Sequence, residues 1–308
     1  MRVLCFGAGA LGTLFAAKLC AAGHDVSVLA RGERLAAIRR DGLRIRRRTK
    51  GETETVRPQI VSAVAHDVPY DLVVVLVRRT VVDDALRTIA ANHDGDVLVM
   101  VNEARGYDTW RAILGSRLVV GFGGAIAAFD APGVLVYDLA ARALQPTVIG
   151  EPDGHVSDRV RRAASALRGA GFPIQIRRDM EAWQRTHAAW ITPLMLVSTA
   201  AARDAATLTS NDRVRTWASA TREALAAVEA SGTRLVPFSI RLAAAVPVAI
   251  TASVLRYALR AASLRAKLVA SGAGFADEGL VLAADLGSLA GPLPCLEALV
   301  AEVRRSPD

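Results

Sequence analysis

Aromatic residues make up only 5% of this 308-residue chain, and lysine occurs just three times among 38 basic residues. With so few ring faces, a stacking platform for single-stranded nucleic acid is not expected. The net charge of +8 comes from arginines dispersed along an alanine- and arginine-rich sequence, so nucleic acid is not expected as a partner at all. The densest basic cluster is Arg44, Arg46, Arg47, Arg48 and Lys50. Its opening alternation, Leu43-Arg44-Ile45-Arg46, reads as a solvated edge strand leading into a hairpin. A basic surface would help attract an anionic cofactor or substrate.

Cysteine is equally scarce. Cys5, Cys20 and Cys295 are far apart, with neither metal-ligand spacing nor an even-numbered disulfide framework. No metal is therefore expected, and a reducing cytoplasm is the simplest compartment. One long uncharged run, 242–255, is too short to span a bilayer and contains Pro247. It reads as a core helix or a helix at an oligomer interface. Met1-Arg2 and the apolar residues after it have the outline of an export signal, but the stretch carries Lys18 and a full set of turn glycines and runs into a second strand. It is read as part of a domain, and no membrane partner is expected.

What is present is ample apolar material, 52% of residues, against 22% charged. That suits one large or two ordinary globular domains. The apolar run Arg2-Val3-Leu4-Cys5-Phe6 leads directly into Gly7-Ala8-Gly9-Ala10-Leu11-Gly12, which opens a helical segment over 11–22. A strand, a glycine turn and a helix in this order form the dinucleotide fingerprint. Gly7 would permit the tight turn. Gly9 would keep side chains away from a pyrophosphate, and Gly12 would let helix and strand pack closely. The free N–H groups at the helix start would face the phosphates. After the second strand, 25–30, the position where an acidic residue usually holds a ribose 2′-hydroxyl is Arg31, followed by Gly32, Glu33 and Arg34. A guanidinium suits a 2′-phosphate, so NADP(H) is the expected cofactor, although Arg31 also fits as a solvated loop residue.

The first half alternates strands and helices: strands at 70–77, 96–101 and 118–121, helices at 82–91 and 109–114. This implies a parallel, doubly wound sheet of the Rossmann type. Short strands follow at 134–137, 146–150 and 173–176, with a helix at 156–167, and suggest an antiparallel extension of the same sheet. Beyond Asp179 strand signals stop. Helices are expected at 180–192, 194–206, 211–231, 237–246, 248–270, 276–290 and 294–304, punctuated by prolines that include Pro193 and Pro247. The expected organisation is an NADP-binding domain over 1–178 and an all-helical substrate or dimerisation domain over 179–308. A homodimer and a well-filled monomer core both account for the apolar C-terminal helices.

Several segments together resemble the ketopantoate reductase (2-dehydropantoate 2-reductase) family. They are the glycine turn, Gly23-His24-Asp25-Val26, Leu29-Ala30-Arg31, Val101-Asn102, Met180-Glu181-Ala182-Trp183-Gln184-Arg185 and Ala276-Asp277-Glu278. The resemblance implies hydride transfer from NADPH to a small 2-oxo acid, ketopantoate or a related compound, bound between the domains. It implies roles for Asn102, Arg185 and Glu278 in the chemistry and for Arg78 near a cofactor phosphate. Arg185 stands where the family has its proton-donating lysine, Asn102-Glu103 replaces an Asn-Gly pair, and Ala189 and Thr192 replace two asparagines. Arginine is a poor acid, since its pKa exceeds about 12. Arg185 would therefore clamp a carboxylate or stabilise an alkoxide, or it would simply pair with Glu181 one helical turn away. Glu278 would hold a substrate hydroxyl or relay a proton, or would only charge the first turn of its helix. His187 lies on the opposite helix face from Arg185, about 200° around, and reads as a packed polar residue. Two other readings stay open: a non-catalytic NADP(H)-responsive regulatory protein, and a dehydrogenase of a bulkier apolar alcohol.

Overall fold

The computed structural model describes residues 1–49, 51–66, 68–131, 133–139, 145–272 and 274–305; Lys50 of the basic cluster lies outside them. By internal contacts the chain divides into two compact units. The first comprises Met1–Val101 and Tyr107–Met180, the second Asn102–Gly106 and Glu181–Asp308.

The first unit is built on an eight-stranded sheet. Its strands are β1 (Arg2–Phe6), β2 (Asp25–Leu29), β5 (Gln59–Val61), β6 (Leu72–Val75), β7 (Val97–Val99), β8 (Leu118–Phe122), β11 (Thr147–Gly150) and β12 (Ile174–Ile176), in the order β12-β11-β8-β7-β6-β1-β2-β5. Neighbours are parallel throughout except β11 against β8. The run from β5 to β8 is the doubly wound order, with the direction of winding reversing between β1 and β6. Central strands such as β6 and β7 are buried at every residue, as parallel strands covered on both faces must be. Helix α1 (Ala10–Ala21) packs on this sheet, and its Phe15 stacks on Phe172 at 4.2 Å. Helices α2 (Gly32–Asp41), α3 (Val82–Ala90), α4 (Asp108–Leu114) and α5 (Asp158–Gly169) complete the alternation.

A second sheet departs from the sequence reading. It runs β4-β3-β10-β9, from β3 (Leu43–Arg47), β4 (Thr53–Val56), β9 (Ala125–Ala131) and β10 (Val134–Leu139). The basic segment does form a hairpin with β4, but β3 is no edge strand. It is paired in parallel with β10 on its other side, and Leu43 and Ile45 are buried. Of the three short strands expected after 130, β11 and β12 extend the main sheet and only β10 leaves it.

The second unit is helical: α6 (Met180–Arg203, whose first residue belongs to the first unit), α7 (Asn211–Ala230), α8 (Phe238–Ala245), α9 (Val248–Ala258), α10 (Ala262–Gly272), α11 (Ala276–Ala290) and α12 (Pro294–Arg305). Its core joins Leu196 and Val197 of α6, Leu225 and Val228 of α7, Leu282 and Leu286 of α11 and Leu296 of α12. Pro193 does not split α6 in two as expected. It removes one ladder bond, to the carbonyl of Ala189, while the Thr192 hydroxyl donates to the Ala188 carbonyl at 2.7 Å beside the gap. The segment expected as one helix over 248–270 is instead α9 and α10, which break between Ala258 and Ala262. Among the described residues no single helix is long and apolar enough to cross a membrane; α8 and α9 reach that composition only as a pair bent by 110°.

His187 of α6 stacks on Trp183, with ring centroids 5.0 Å apart and planes 8° from parallel. Burial pushes its pKa down to about 4 from 6.5. The folded chain therefore keeps His187 neutral where the unfolded chain would take up a proton, and stability is lost as pH falls from about 6.5 towards 4. We expect this group to remove up to about 3 kcal/mol across that window. Urea unfolding at pH 7 and pH 4.5 should show a smaller pH-dependent loss in His187→Gln than in the wild type, whatever its stability at pH 7.

Candidate functional site

Two groups of polar residues stand out, one in each unit. The first surrounds the glycine turn at the end of β1. Gly7 has a φ of +119°, and a Cβ there would lie 2.6 Å from the carbonyl oxygen of Leu76. At Gly12 a Cβ would lie 1.9 Å from the carbonyl oxygen of Gly7. Both positions thus require glycine, for backbone conformation and for contact between helix and strand. Gly9 differs: a Cβ there would meet nothing within 4 Å. Space lies open over the exposed backbone that opens α1. The first turn of α1 carries no acidic residue, and its N-cap, Gly9, offers no side-chain acceptor to the orphan N–H groups. Ala8, Ala10 and Leu11 line this stretch as half-buried residues.

Arg31 is the exposed N-cap of α2, and its side chain makes no ion pair or hydrogen bond among the described residues. Arg78 is exposed past the end of β6, at the N-cap of the short 3₁₀ turn Arg79–Val81. The sequence reading assigned nothing to Arg34, which the fold brings onto the glycine turn. Its Nε donates to the Ala8 carbonyl at 3.0 Å and its Nη2 to Thr13 Oγ1 at 2.8 Å, and its guanidinium lies 4.4 Å from the ring centre of Phe129. One signal was available in the sequence. Arg31 and Arg34 both fall in the opening turn of α2, the positive end of the helix, where cations are unfavourable unless something holds or uses them.

The second group lies in the helical unit and includes the segment Asn102–Gly106. Asn102 Nδ2 donates to Glu278 Oε1 at 2.8 Å, so two of the three residues expected to share the chemistry are in contact. The carboxylate accepts only, which fixes the amide with Oδ1 turned away. Asn102 Oδ1 is buried and has no partner among the described residues. Glu278 sits in the first turn of α11, where the helix dipole favours a carboxylate. The Glu103 carboxylate caps its own loop by accepting from the Arg105 N–H at 2.8 Å.

Arg185 is engaged within this unit. Its Nη2 meets Glu181 Oε1 at 2.7 Å and donates to the Arg105 carbonyl at 2.8 Å, while Nη1 donates to Thr233 Oγ1 at 2.7 Å. The i,i+4 pair with Glu181 is therefore formed. Gly106, with φ +100°, leaves room for it: a Cβ there would lie 2.8 Å from both Arg185 Nη2 and Glu181 Oε1. Ala189 is buried, and Thr192 spends its hydroxyl on its own helix. Among the described residues no group of three His, Cys, Asp or Glu side chains is placed to hold a metal.

Comparison with known proteins finds relatives of the sequence and of the fold. Residues 3–154 match the model of the family described as ketopantoate reductase PanE/ApbA. A 2-dehydropantoate 2-reductase of Mesorhizobium japonicum is 32% identical over a stretch covering 59% of this chain and 62% of that protein. The chain thus spans about three fifths of the length of the curated relatives it matches. Among solved structures, 2-dehydropantoate 2-reductase of Geobacter metallireducens superimposes with a TM-score of 0.75 over 99% of both chains at 18% identity. A D-mandelate dehydrogenase bound to NADH and anilino(oxo)acetate gives 0.75 over 99% of this chain and 97% of that one, at 14% identity. The fold is that of these solved structures, and residues 3–154 are similar to the ketopantoate reductase family.

Proposed function

We propose that this chain is an NADP(H)-dependent oxidoreductase acting on a small 2-oxo acid, ketopantoate or a compound of its class. The observation that carries the reading is the open backbone at Gly9, set between two glycines that sterics require and followed by a helix start with no acidic residue. Such a turn leaves room for a pyrophosphate against the helix start. The names of the relatives support the reaction class, and the NADH and oxo-acid ligand of the D-mandelate dehydrogenase support the kind of ligands.

On this reading residues 1–178 hold the cofactor through Gly7, Ala8, Gly9, Ala10, Leu11 and Gly12. Arg31, without a side-chain partner among the described residues, would take a 2′-phosphate, and Arg78 would add positive charge. Bound there, a reduced nicotinamide would supply the hydride for the keto carbon. The helical part, 179–308, would handle the substrate together with Asn102. Glu278 would hold a substrate hydroxyl or relay a proton from solvent to the developing alkoxide, with Asn102 orienting its side chain through their 2.8 Å hydrogen bond. Arg185 would act through the charge of its guanidinium, and by anchoring the Arg105 carbonyl it steadies the loop that bears Asn102.

Titration of the purified protein with NADPH and NADH tests the cofactor assignment. NADPH should bind more tightly, and Arg31→Ala should weaken it by about 10- to 100-fold while leaving NADH nearly unchanged. A preference for NADH in the wild type would overturn the NADP assignment. Steady-state turnover on a panel of 2-oxo acids tests the substrate group. Glu278→Gln should lower kcat by about 100-fold or more with the NADPH dissociation constant unchanged. Tight cofactor binding with no turnover on any 2-oxo acid would point to the regulatory reading instead.

A further inference from the structure

Arg34, Thr13 and the carbonyl of Ala8 close a ring of three hydrogen bonds beside the glycine turn. Arg34 Nε donates to Ala8 O at 3.0 Å, Arg34 Nη2 donates to Thr13 Oγ1 at 2.8 Å, and Thr13 Oγ1 donates in turn to Ala8 O at 3.3 Å. Thr13 is fully buried and Arg34 half-buried. The guanidinium is held from another side by the ring of Phe129, 4.4 Å from its centre, a cation–π contact that fixes its plane. Two donors therefore converge on a single peptide oxygen in a turn whose neighbouring glycines have no side chains to brace it.

The consequence follows from peptide geometry. The Ala8–Gly9 peptide is trans, so its C=O and its N–H point in opposite directions. Pinning Ala8 O towards Arg34 and Thr13 aims the Gly9 N–H the other way. That N–H donates to nothing among the described residues. Without the latch, glycine at both ends of the Gly7-Ala8-Gly9 segment would leave this peptide free to rotate, and a flipped peptide would present a carbonyl oxygen, which repels phosphate.

We propose that Arg34 is a positioning residue that holds the Ala8–Gly9 peptide with its N–H presented as a preformed donor for the pyrophosphate of a nicotinamide dinucleotide. The proposal rests on the cofactor reading above and deepens it. It separates two arginines of one helix turn by role: Arg31 selects the phosphorylated ribose, and Arg34 serves the part common to both dinucleotides. Arg34 acts through the main chain, so its removal leaves the choice between NADPH and NADH untouched.

The test measures dissociation constants of NADPH and NADH for the full chain and for Arg34→Met, Thr13→Val and Arg34→Lys, alongside the melting temperature of each without cofactor. Arg34→Met keeps much of the bulk and removes both donors. It should weaken NADPH and NADH by the same factor, about tenfold, the scale of losing one charge-assisted hydrogen bond. Thr13→Val removes one arm of the ring and should weaken both by a smaller but equal factor. Arg34→Lys can reach the Ala8 carbonyl with its single ammonium, so it should recover part of the loss for both. A loss confined to NADPH would overturn the proposal, because it would place Arg34 on the 2′-phosphate. Unchanged affinity for both, with only a lower melting temperature, would also overturn it and leave Arg34 a structural tie. Should Arg34→Met not fold, Thr13→Val and Arg34→Lys decide by the same criterion. If the wild type takes up neither dinucleotide, the cofactor reading itself fails, a result distinct from any change in ratio among the variants.

Discussion

At Gly12 the first helix approaches the end of the first strand so closely that a single added carbon would lie 1.9 Å from the carbonyl oxygen of Gly7. This contact sets where α1 begins relative to β1, and with it the place of the helix start. The other glycine constraints serve the same end. Gly7 takes a left-handed conformation because the chain must turn beneath Leu76, and Gly9 is left facing open space. A helix that began one residue later, or stood farther out, would not present its unpaired N–H groups beside the turn. The anion-binding role proposed for the first unit would thus depend first on van der Waals contact at one point.

The charged residues act at a second level. Arg31 and Arg34 share the opening turn of α2, whose dipole disfavours both. Arg34 offsets that cost through the Ala8 carbonyl, the Thr13 hydroxyl and the Phe129 ring, whereas Arg31 has no such partner among the described residues. An unpartnered cation at the positive end of a helix, next to a turn shaped for an anion, is an arrangement that a doubly charged 2′-phosphate would stabilise. The pairing of one anchored and one free arginine is thus a reason, independent of the position of Arg31 after the second strand, to favour a phosphorylated dinucleotide.

Much of this was legible in the chain, and what was not has identifiable causes. The glycine turn and the βαβ alternation depend on local signals, the period of the apolar residues and the special backbone of glycine, and both are present as expected. The second sheet was hidden because β9, Ala-Ile-Ala-Ala-Phe-Asp-Ala, has the composition of a helix, and because β3 finds its parallel partner about ninety residues away in β10. Pro193 looked like a helix end, since the sequence does not reveal that tertiary packing carries α6 through a missing hydrogen bond. The Arg34 latch spans 26 residues and the Asn102–Glu278 contact 176. Asn102 and Glu278 could each be singled out by resemblance, but their contact is a product of the fold.

The state of Arg185 bears on where a proton would come from. Its three contacts, to Glu181, the Arg105 carbonyl and Thr233, are made by two different terminal nitrogens of one planar group. A lysine carries all its donors on one atom and could not span the same partners. The arginine thus has an architectural use, bracing the 102–106 segment from α6, that sets it apart from a proton-donating lysine. His187, the nearest alternative on that helix, is stacked on Trp183 and held neutral down to about pH 4. Within the proposed reaction these two constraints turn the search for a proton donor away from α6 and towards Glu278, whose side chain the Asn102 amide orients at 2.8 Å.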